Sequence, residues 1–184
     1  LVRPRRGPAH LWLLCLMIPM ACERAEDIQS SLPPVPASQT VGLPGRVPGR
    51  FEVPRGIASD GRGGIYVVDK SARVQRLDAA GDVSVWWTMP ALDNGKPTGL
   101  SGTAQGDVAV AGTHEYRVSG CSSEGEWQRT FGDYGTDPGH CIYPTDVLID
   151  ASGAWYVSEY GGNDRIQVFD QAGAPIRVLG GPAW

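Results

Sequence analysis

One sequence pattern occurs twice in this chain, as "PRGIASDGRGGIYVVDKSARVQRLDAAG" (residues 54–81) and "PTDVLIDASGAWYVSEYGGNDRIQVFDQAG" (residues 144–173). Matched positions lie 90 residues apart before the polar segment "YGGND" and 92 residues apart after it. A weaker copy, residues 97–125, lies between the two, which gives a period of about 45 residues. Self-similarity at a fixed period of this length indicates a repeat architecture.

Each copy predicts four short strands joined by tight turns. "GIASD" and "GIYVVD" are short β-rich runs, and "RVQRLD" alternates apolar and polar residues, which is typical of a strand. An Asp-x-x-Gly turn then leads to a fourth run, "VSVWWTM". Gly and Pro, with 25 and 15 residues of 184, favour turns over long helices. Four antiparallel strands per repeat of about 45 residues are typical of a β-propeller blade.

The matched residues resemble NHL repeats, a family whose copies build six-bladed propellers. The resemblance covers residues 45–181 and is weakest in the middle copy, which has no acid at the position of Asp69. It implies an all-β fold with about three blades of four antiparallel strands, at about residues 45–90, 91–134 and 135–181. Residues 182–184 would begin a linker.

Three blades make an incomplete ring, because propellers close with about four to eight blades. The simplest interpretation is that further blades complete the ring. The alternative is that a second three-bladed chain closes it.

The N-terminus predicts a targeting segment over residues 1–22. Three arginines precede an apolar run of 11 residues, 11–21, whereas a span of the bilayer takes about 20. The pair Ala21-Cys22 resembles a bacterial lipoprotein signal, which implies a lipid on Cys22; ordinary cleavage and an uncleaved anchor are the alternatives. Residues 23–44 are polar and contain several prolines, as in a flexible tether. We therefore expect an exported, lipid-anchored protein of the bacterial periplasm or cell surface.

The charge of the chain limits the classes of partner that it can bind. Without residues 1–22 the chain has 13 basic and 20 acidic residues, which excludes a nucleic-acid partner because phosphate binding needs a basic face.

Cys121 and Cys141 remain after the signal. In an exported protein they could pair as a disulfide, or they could be two separate buried thiols. Neither belongs to a CxxC pair, which argues against metal ligation.

The order of strands in a blade predicts which loops share a face. The linker into a blade and the loop between its second and third strands open on the same side, and loops on a rigid scaffold are common binding sites. The ligand-face candidates are His140, Asp146, Tyr160, Asn163 and Asp164, with His114 and Glu115 from the middle copy. The pairs Asp69/Arg73 and Glu159/Arg165 flank equivalent hairpins and are predicted to be structural.

The stretch "HCIYPTDV" (residues 140–147) resembles peptidylglycine amidating lyases, which implies a zinc-ligand role for His140. Those enzymes place another His directly after Pro in a neighbouring blade, whereas this chain has "PRG" and "PTG" there. A catalytic zinc takes about three protein ligands, so His140 is only a weak candidate. No nucleophile–base motif or phosphate-binding loop is present. The sequence therefore predicts no catalytic residue and no cofactor.

A binding scaffold for a protein, peptide or glycan is the function that these patterns favour. One alternative is a metal-dependent propeller enzyme, lyase-like or lactonase-like, whose other ligands lie in further blades. Another is a non-functional fragment.

Overall fold

Three four-stranded antiparallel sheets dominate the computed structural model, which describes residues 39–90, 97–103 and 105–181. All of these strands belong to one unit of the chain, Thr40–Trp184. The predicted signal with Cys22, most of the predicted tether and residues 182–184 lie outside the described residues.

The strands follow one another in sequence order within each sheet. A short parallel pair, β1 (Leu43–Pro44) and β2 (Arg50–Phe51), precedes the sheets. Blade 1 contains β3 (Pro54–Ser59), β4 (Ile65–Asp69), β5 (Arg73–Leu77) and β6 (Val83–Thr88). Blade 2 contains β7 (Pro97–Gly102), β8 (Val108–Gly112), β9 (Arg117–Cys121) and β10 (Trp127–Phe131). Blade 3 contains β11 (Pro144–Ile149), β12 (Trp155–Glu159), β13 (Arg165–Phe169) and β14 (Pro175–Gly180). The prediction of an all-β propeller of four-stranded antiparallel blades is confirmed.

Aspartates close the turns between strands. Asp60 accepts hydrogen bonds from the backbone N–H groups of Arg62 and Gly64 (2.7 and 2.8 Å), and Asp150 does the same in blade 3. Burial alone would raise the pKa of Asp60, but these bonds and the Arg76 guanidinium hold it below the ordinary value. Such side-chain turns explain why aspartate recurs at these positions of the repeat.

The first strand of each blade lies beside the first strand of the next, so β7 lies between β3 and β11. Gly99 allows the closest approach, because a Cβ at this position would overlap the backbone of Asp146. Thr98 Oγ1 donates to the carbonyl of Thr145 across the same junction (2.8 Å). Each first strand also has a bulge after its opening proline, which gives the three strands one shape.

Two apolar cores join the three blades. The blade 1/2 core includes Tyr66, Val74, Trp87, Val108 and Val110, and the blade 2/3 core has the following buried residues: Ala109, Ala111, Val118, Cys141, Val147, Ile149, Trp155, Val157 and Phe169. Blade 2 thus uses one sheet face toward blade 1 and the other toward blade 3.

The two cysteines belong to different cores, and both are free thiols. Cys121 is part of the blade 1/2 core and Cys141 of the blade 2/3 core. The disulfide that the sequence permits is therefore not formed, because each thiol is enclosed by a separate cluster. Burial raises the pKa of each thiol to about 12, so both stay protonated and unreactive at neutral pH.

Among the described residues, no helix combines the length and the apolar character needed to cross a membrane.

Candidate functional site

A buried polar network surrounds Glu159 at the loop end of blade 3. One carboxylate oxygen accepts hydrogen bonds from Arg165 Nε (3.0 Å) and Gln167 Nε2 (2.5 Å). The other accepts from the backbone N–H of Ile142 (2.8 Å) and from Asn163 Nδ2 (3.0 Å). Glu159 is thus bonded by four donors, two on each carboxylate oxygen.

The same network holds the linker that enters blade 3. Arg165 Nη2 and Gln167 Nε2 both donate to the carbonyl of His140, at 2.9 and 2.6 Å, while Gln167 Oε1 accepts from the N–H of Gly139 (2.9 Å). Arg165 Nη1 also donates to the carbonyl of Thr136 (2.5 Å). We call this arrangement the linker latch: one acid, one Arg and one Gln that bind the backbone of the incoming linker.

Blade 1 repeats the linker latch with Asp69, Arg73 and Gln75. Arg73 Nη2 lies 2.8 Å from Asp69 Oδ2, and both Arg73 and Gln75 donate to the carbonyl of Arg50. Burial alone would raise the pKa of Asp69, but bonds from Ser71, from the N–H of Glu52 and from Arg73 hold it below its ordinary value. The sequence-predicted pairs therefore lie inside a structural network in both blades.

Among the residues that the structure describes, blade 2 shows no linker latch. In blades 1 and 3 an acid pairs with the opening proline of the blade: Asp69 with Pro54 and Glu159 with Pro144. In blade 2 the residue that pairs with the opening proline, Pro97, is Gly112. Arg117 donates to the carbonyl of Glu115 instead (3.1 Å). A cavity of about 60 Å³, lined by Gly112, Arg117 and other residues, lies at this end of the blade.

Two ligand-face candidates contribute to the latch of blade 3. Asn163 is buried and donates to Glu159, so it supports the scaffold. His140 has an exposed imidazole, and its carbonyl accepts from the latch as the carbonyl of Arg50 does in blade 1. His140 and Arg50 therefore share a role that belongs to the backbone carbonyl and not to the side chain.

Five aromatic rings from blades 2 and 3 are in contact on the loop face. Tyr143 is the centre: its ring lies 5.4 Å from His114, 5.4 Å from Tyr116 and 5.1 Å from Tyr160, with the last pair stacked. Tyr134 extends the group through an edge contact of 4.9 Å with Tyr116. A hydrogen bond to Tyr143 raises the pKa of the Tyr116 phenol. We call these five residues the aromatic cluster.

Blade 1 shows that the fold does not require these rings. Tyr143 has a left-handed backbone (φ 45°), and so does its counterpart Val53 (φ 52°), the residue before the opening proline of blade 1. Tyr116 (φ 57°) and Ala72 (φ 55°) likewise both precede a third strand. The unusual backbone is thus a property of the repeat, whereas the aromatic side chains are particular to blades 2 and 3.

The two-residue expansion of the loop in blade 3 places Tyr160 on the aromatic cluster. Gly161 (φ 86°) and Gly162 (φ 100°) both need positive φ, which glycine adopts without strain. A Cβ at Gly161 would lie 2.6 Å from Tyr143 Cδ2, so only glycine lets the loop approach this ring. Tyr160 remains 45% exposed and is available to a ligand.

The connections that carry the rings are acidic. Asp133 and Asp137 are exposed in the linker to blade 3, Asp164 is exposed after the Gly161-Gly162 segment, and Glu115 lies beside Tyr116. Asp146 is exposed farther along, in β11, where its carboxylate accepts from the N–H of Val147 (2.9 Å). The loop face of blades 2 and 3 is therefore aromatic and negatively charged.

Sequence reasoning selected Tyr160 and His114 but missed Tyr116, Tyr134 and Tyr143. Four of the six tyrosines lie in connections that open on the loop face. This distribution is the sequence signal from which the aromatic cluster could have been predicted. Within the described ranges, no three His, Cys, Asp or Glu side chains are grouped as metal ligands would be.

Comparison with known proteins identifies the fold. No family model matches the chain. Protein brain tumor of Drosophila melanogaster is 31% identical over 86 residues, which cover 46% of this chain and 8% of that protein.

Solved structures match a larger part of the chain. A catalytically inactive virginiamycin B lyase from Staphylococcus aureus, crystallised with quinupristin, superposes with a TM-score of 0.55 at 17% identity, over 73% of this chain and 42% of that one. A protein of unknown function from Bacteroides caccae gives a TM-score of 0.51 at 13% identity, over 71% and 46%. The chain thus spans less than half the length of these proteins, and at such identities the likeness shows the fold alone.

Proposed function

We propose that this protein is an exported, membrane-tethered propeller of the NHL type that acts as a binding scaffold, with the aromatic cluster as its ligand site. The cluster carries the proposal: five rings are in contact, and two of them, Tyr143 and Tyr116, stand where blade 1 has Val53 and Ala72. Aromatic groups of this kind provide a large, rigid contact area at low entropic cost. The rest of the ring is supplied by further blades or by a second chain.

A peptide or protein segment with Arg or Lys side chains is the ligand that the charge favours. The cluster is flanked by Asp133, Asp137 and Asp164, and a cation over an exposed tyrosine gains about 0.5–1 kcal/mol from the ring. A neutral glycan would stack on the same rings and donate hydroxyl hydrogen bonds to these carboxylates, but it would leave their negative charge without a counter-charge. The acidic loops therefore favour the basic peptide over the glycan.

Binding can be tested with a capped peptide of alternating Arg and Gly, with its Glu counterpart and a chitin hexasaccharide for comparison. We expect saturable binding of the Arg peptide, measured by tyrosine fluorescence and calorimetry, and weaker binding as salt is added. Tyr143→Val and Tyr116→Ala, each the type of residue found in blade 1, should each weaken binding about two- to fivefold, which corresponds to the loss of about 0.5–1 kcal/mol. Circular dichroism should show an unchanged fold.

The matched control is Val53→Ala, at the position in blade 1 that corresponds to Tyr143. This variant should bind the Arg peptide like the unchanged protein. Binding of the hexasaccharide alone would overturn the choice of a basic ligand. Equal binding by the tyrosine variants and the unchanged protein would show that the cluster is not the site.

The membrane tether has a separate test. Replacing Cys22 by Ser removes the thiol to which the lipid would be joined, so the protein should move from the membrane fraction to the soluble fraction of the bacterial envelope. Cys121→Ser is the control, because that thiol is buried. If the Cys22 variant stays in the membrane fraction, the lipid anchor is wrong.

A further inference from the structure

The first strands of the three blades run side by side in the same direction, so the loops of all three blades open on one face. Four contacts show this order: Gly56 with Thr98 and Ser59 with Gly102 between β3 and β7, then Thr98 with Thr145 and Ser101 with Ile149 between β7 and β11. In each pair of strands, the earlier residue of one strand meets the earlier residue of the other. The loop face therefore continues from blade 1 across blade 2 to blade 3.

The loops of blade 1 and blade 3 on this face have opposite charge. Residues 43–55 and 69–73 of blade 1 carry five basic and two acidic side chains, a net charge of +3. The matched residues 133–145 and 159–165 of blade 3 carry one basic and four acidic side chains, a net charge of −3 with His140 neutral. The charge of the loop face thus changes sign from blade 1 to blade 3.

The shared scaffold does not require these charges, because they differ between blades at matched positions. The pairs that differ in this sense, blade 1 first, are Leu43/Asp133, Arg46/Thr136, Val47/Asp137, Arg50/His140, Arg55/Thr145 and Lys70/Tyr160. Glu52, which matches Ile142, differs in the opposite sense, and it forms an ion pair with Arg46. Asp164 belongs to the expansion that blade 1 lacks. The charges are therefore particular to each blade, as the tyrosines of the aromatic cluster are.

Six of these charged side chains are exposed. We call Arg50, Arg55 and Lys70 the basic pole, and Asp133, Asp137 and Asp164 the acidic pole. Among the residues that the structure describes, none of the six takes part in an ion pair. Arg50 Nη1 donates to the carbonyl of Pro44 (3.2 Å), a neutral acceptor that leaves the positive charge in place. Each pole thus offers its charge to a ligand.

The distance between the poles sets the length of a ligand that can reach both. Blade 2 lies between them, and packed sheets are about 10 Å apart, so the poles are separated by about 20 Å. An extended peptide covers about 3.3 Å per residue, so about six residues connect the poles. The Debye length is about 10 Å at 0.1 M salt, so each pole acts on the part of the ligand nearest to it.

The loop of blade 2 provides the surface between the poles. Tyr116 extends the aromatic cluster onto this blade, and the exposed His114 contacts Tyr143 beside it. Glu115 and Arg117 balance each other in charge within the loop. An uncharged stretch of the ligand therefore suits the middle of the face.

We infer that the ligand of the loop face is an extended peptide segment whose basic and acidic residues are segregated, about six residues apart. The Arg or Lys end lies on the aromatic cluster and the acidic pole, and the Asp or Glu end lies on the basic pole. The basic end is the one assigned by the proposed function, on which this inference rests. A segment with mixed charges brings like charges to the poles, which lowers its affinity and makes the face selective.

Three capped peptides of nine residues test the inference by calorimetry at low salt. The segregated peptide is Arg-Gly-Arg-Gly-Gly-Gly-Glu-Gly-Glu, and the mixed peptide, Arg-Gly-Glu-Gly-Gly-Gly-Arg-Gly-Glu, has the same composition. The third peptide replaces both Glu residues of the segregated one by Gln. We expect the segregated peptide to bind at least about threefold more tightly than either of the others, because it alone places two acids on the basic pole.

Lys70→Glu should remove this gain, because it reverses a charge of the basic pole. The segregated peptide should then bind no more tightly than its Gln counterpart, whereas binding of the alternating Arg-Gly peptide should stay unchanged. Lys70 is exposed, so circular dichroism should show a folded variant. Arg177→Glu is the matched control: it makes the same charge change at an exposed residue of the outer strand β14 and should retain the gain.

The outcomes separate this inference from the proposed function. Equal binding of the three peptides would overturn the inference and leave the proposed function intact, because Arg residues would still bind the aromatic cluster. Binding of no peptide, the alternating Arg-Gly peptide included, would overturn both. A gain that survives Lys70→Glu and Arg50→Glu would show that the acidic end lies away from the basic pole, which also overturns the inference.

Discussion

Replacing Glu159 by Ala is expected to lower the free energy of unfolding by about 3–5 kcal/mol, the usual cost of removing one partner of a buried ion pair. The variant leaves the Arg165 guanidinium buried and removes the acceptor of four donors. Domains of this size are stable by only about 5–15 kcal/mol, so the loss is a large share of the total. Urea unfolding followed by far-ultraviolet circular dichroism measures it.

Glu159→Gln distinguishes the contribution of the carboxylate charge to stability from the contribution of the side-chain shape. The amide keeps one oxygen, but its NH₂ group would face two N–H donors, so we expect this variant also to be destabilised. Arg46→Ala is the control, because it breaks the exposed ion pair with Glu52 and should change stability little. If Glu159→Ala costs no more than Arg46→Ala, the linker latch does not stabilise the blade as we describe.

Trp155→Ala is expected to cost a similar amount, about 3–5 kcal/mol, because it leaves a large cavity in the blade 2/3 core. Trp155 is 3% exposed, contacts the Phe131 ring edge-on at 5.2 Å and lies under the Arg129 guanidinium. The same denaturant measurement applies.

Tyr134→Ala is the comparison for Trp155→Ala, since Tyr134 is aromatic but 64% exposed. Its loss should cost less than about 1.5 kcal/mol, the upper value of a single aromatic pair. Equal effects of the two variants would argue against a shared core between blades 2 and 3.

The repeat made most of the fold predictable from sequence. The period and the alternation of "RVQRLD" and "RIQVFD" locate the strands, because a half-buried strand needs one apolar face. The middle blade forms the same sheet although Gly112 and Ser119 replace the acid and the Gln of the latch. Its strands are therefore specified by the apolar residues and turns that it shares with its neighbours.

The candidate site was less predictable, because its contacts join residues far apart in sequence. Tyr116 and Tyr143 are 27 positions apart, and nothing in the local pattern of either one indicates that their rings meet. The polar loop around Asn163 predicts a ligand residue, yet its side-chain amide donates to Glu159 and belongs to the scaffold. The choice between a disulfide and two buried thiols stayed open for a related reason: a count of cysteines does not show which core each one enters, and the structure shows two buried thiols.

The linker latch also has a consequence for how the chain folds. Its contacts stay within one repeat: Gly49 and Gln75 are separated by 26 residues and Thr136 and Arg165 by 29, whereas the Thr98–Thr145 contact between blades spans 47. Contacts of short sequence separation form early, because little chain entropy is lost in closing the loop. Blades 1 and 3 can therefore complete their polar ends on their own, whereas blade 2 has to be ordered by the blades on either side. We expect high φ-values at Gln75 and Gln167 and low ones at Ser119, so that the chain folds from its two outer blades inward.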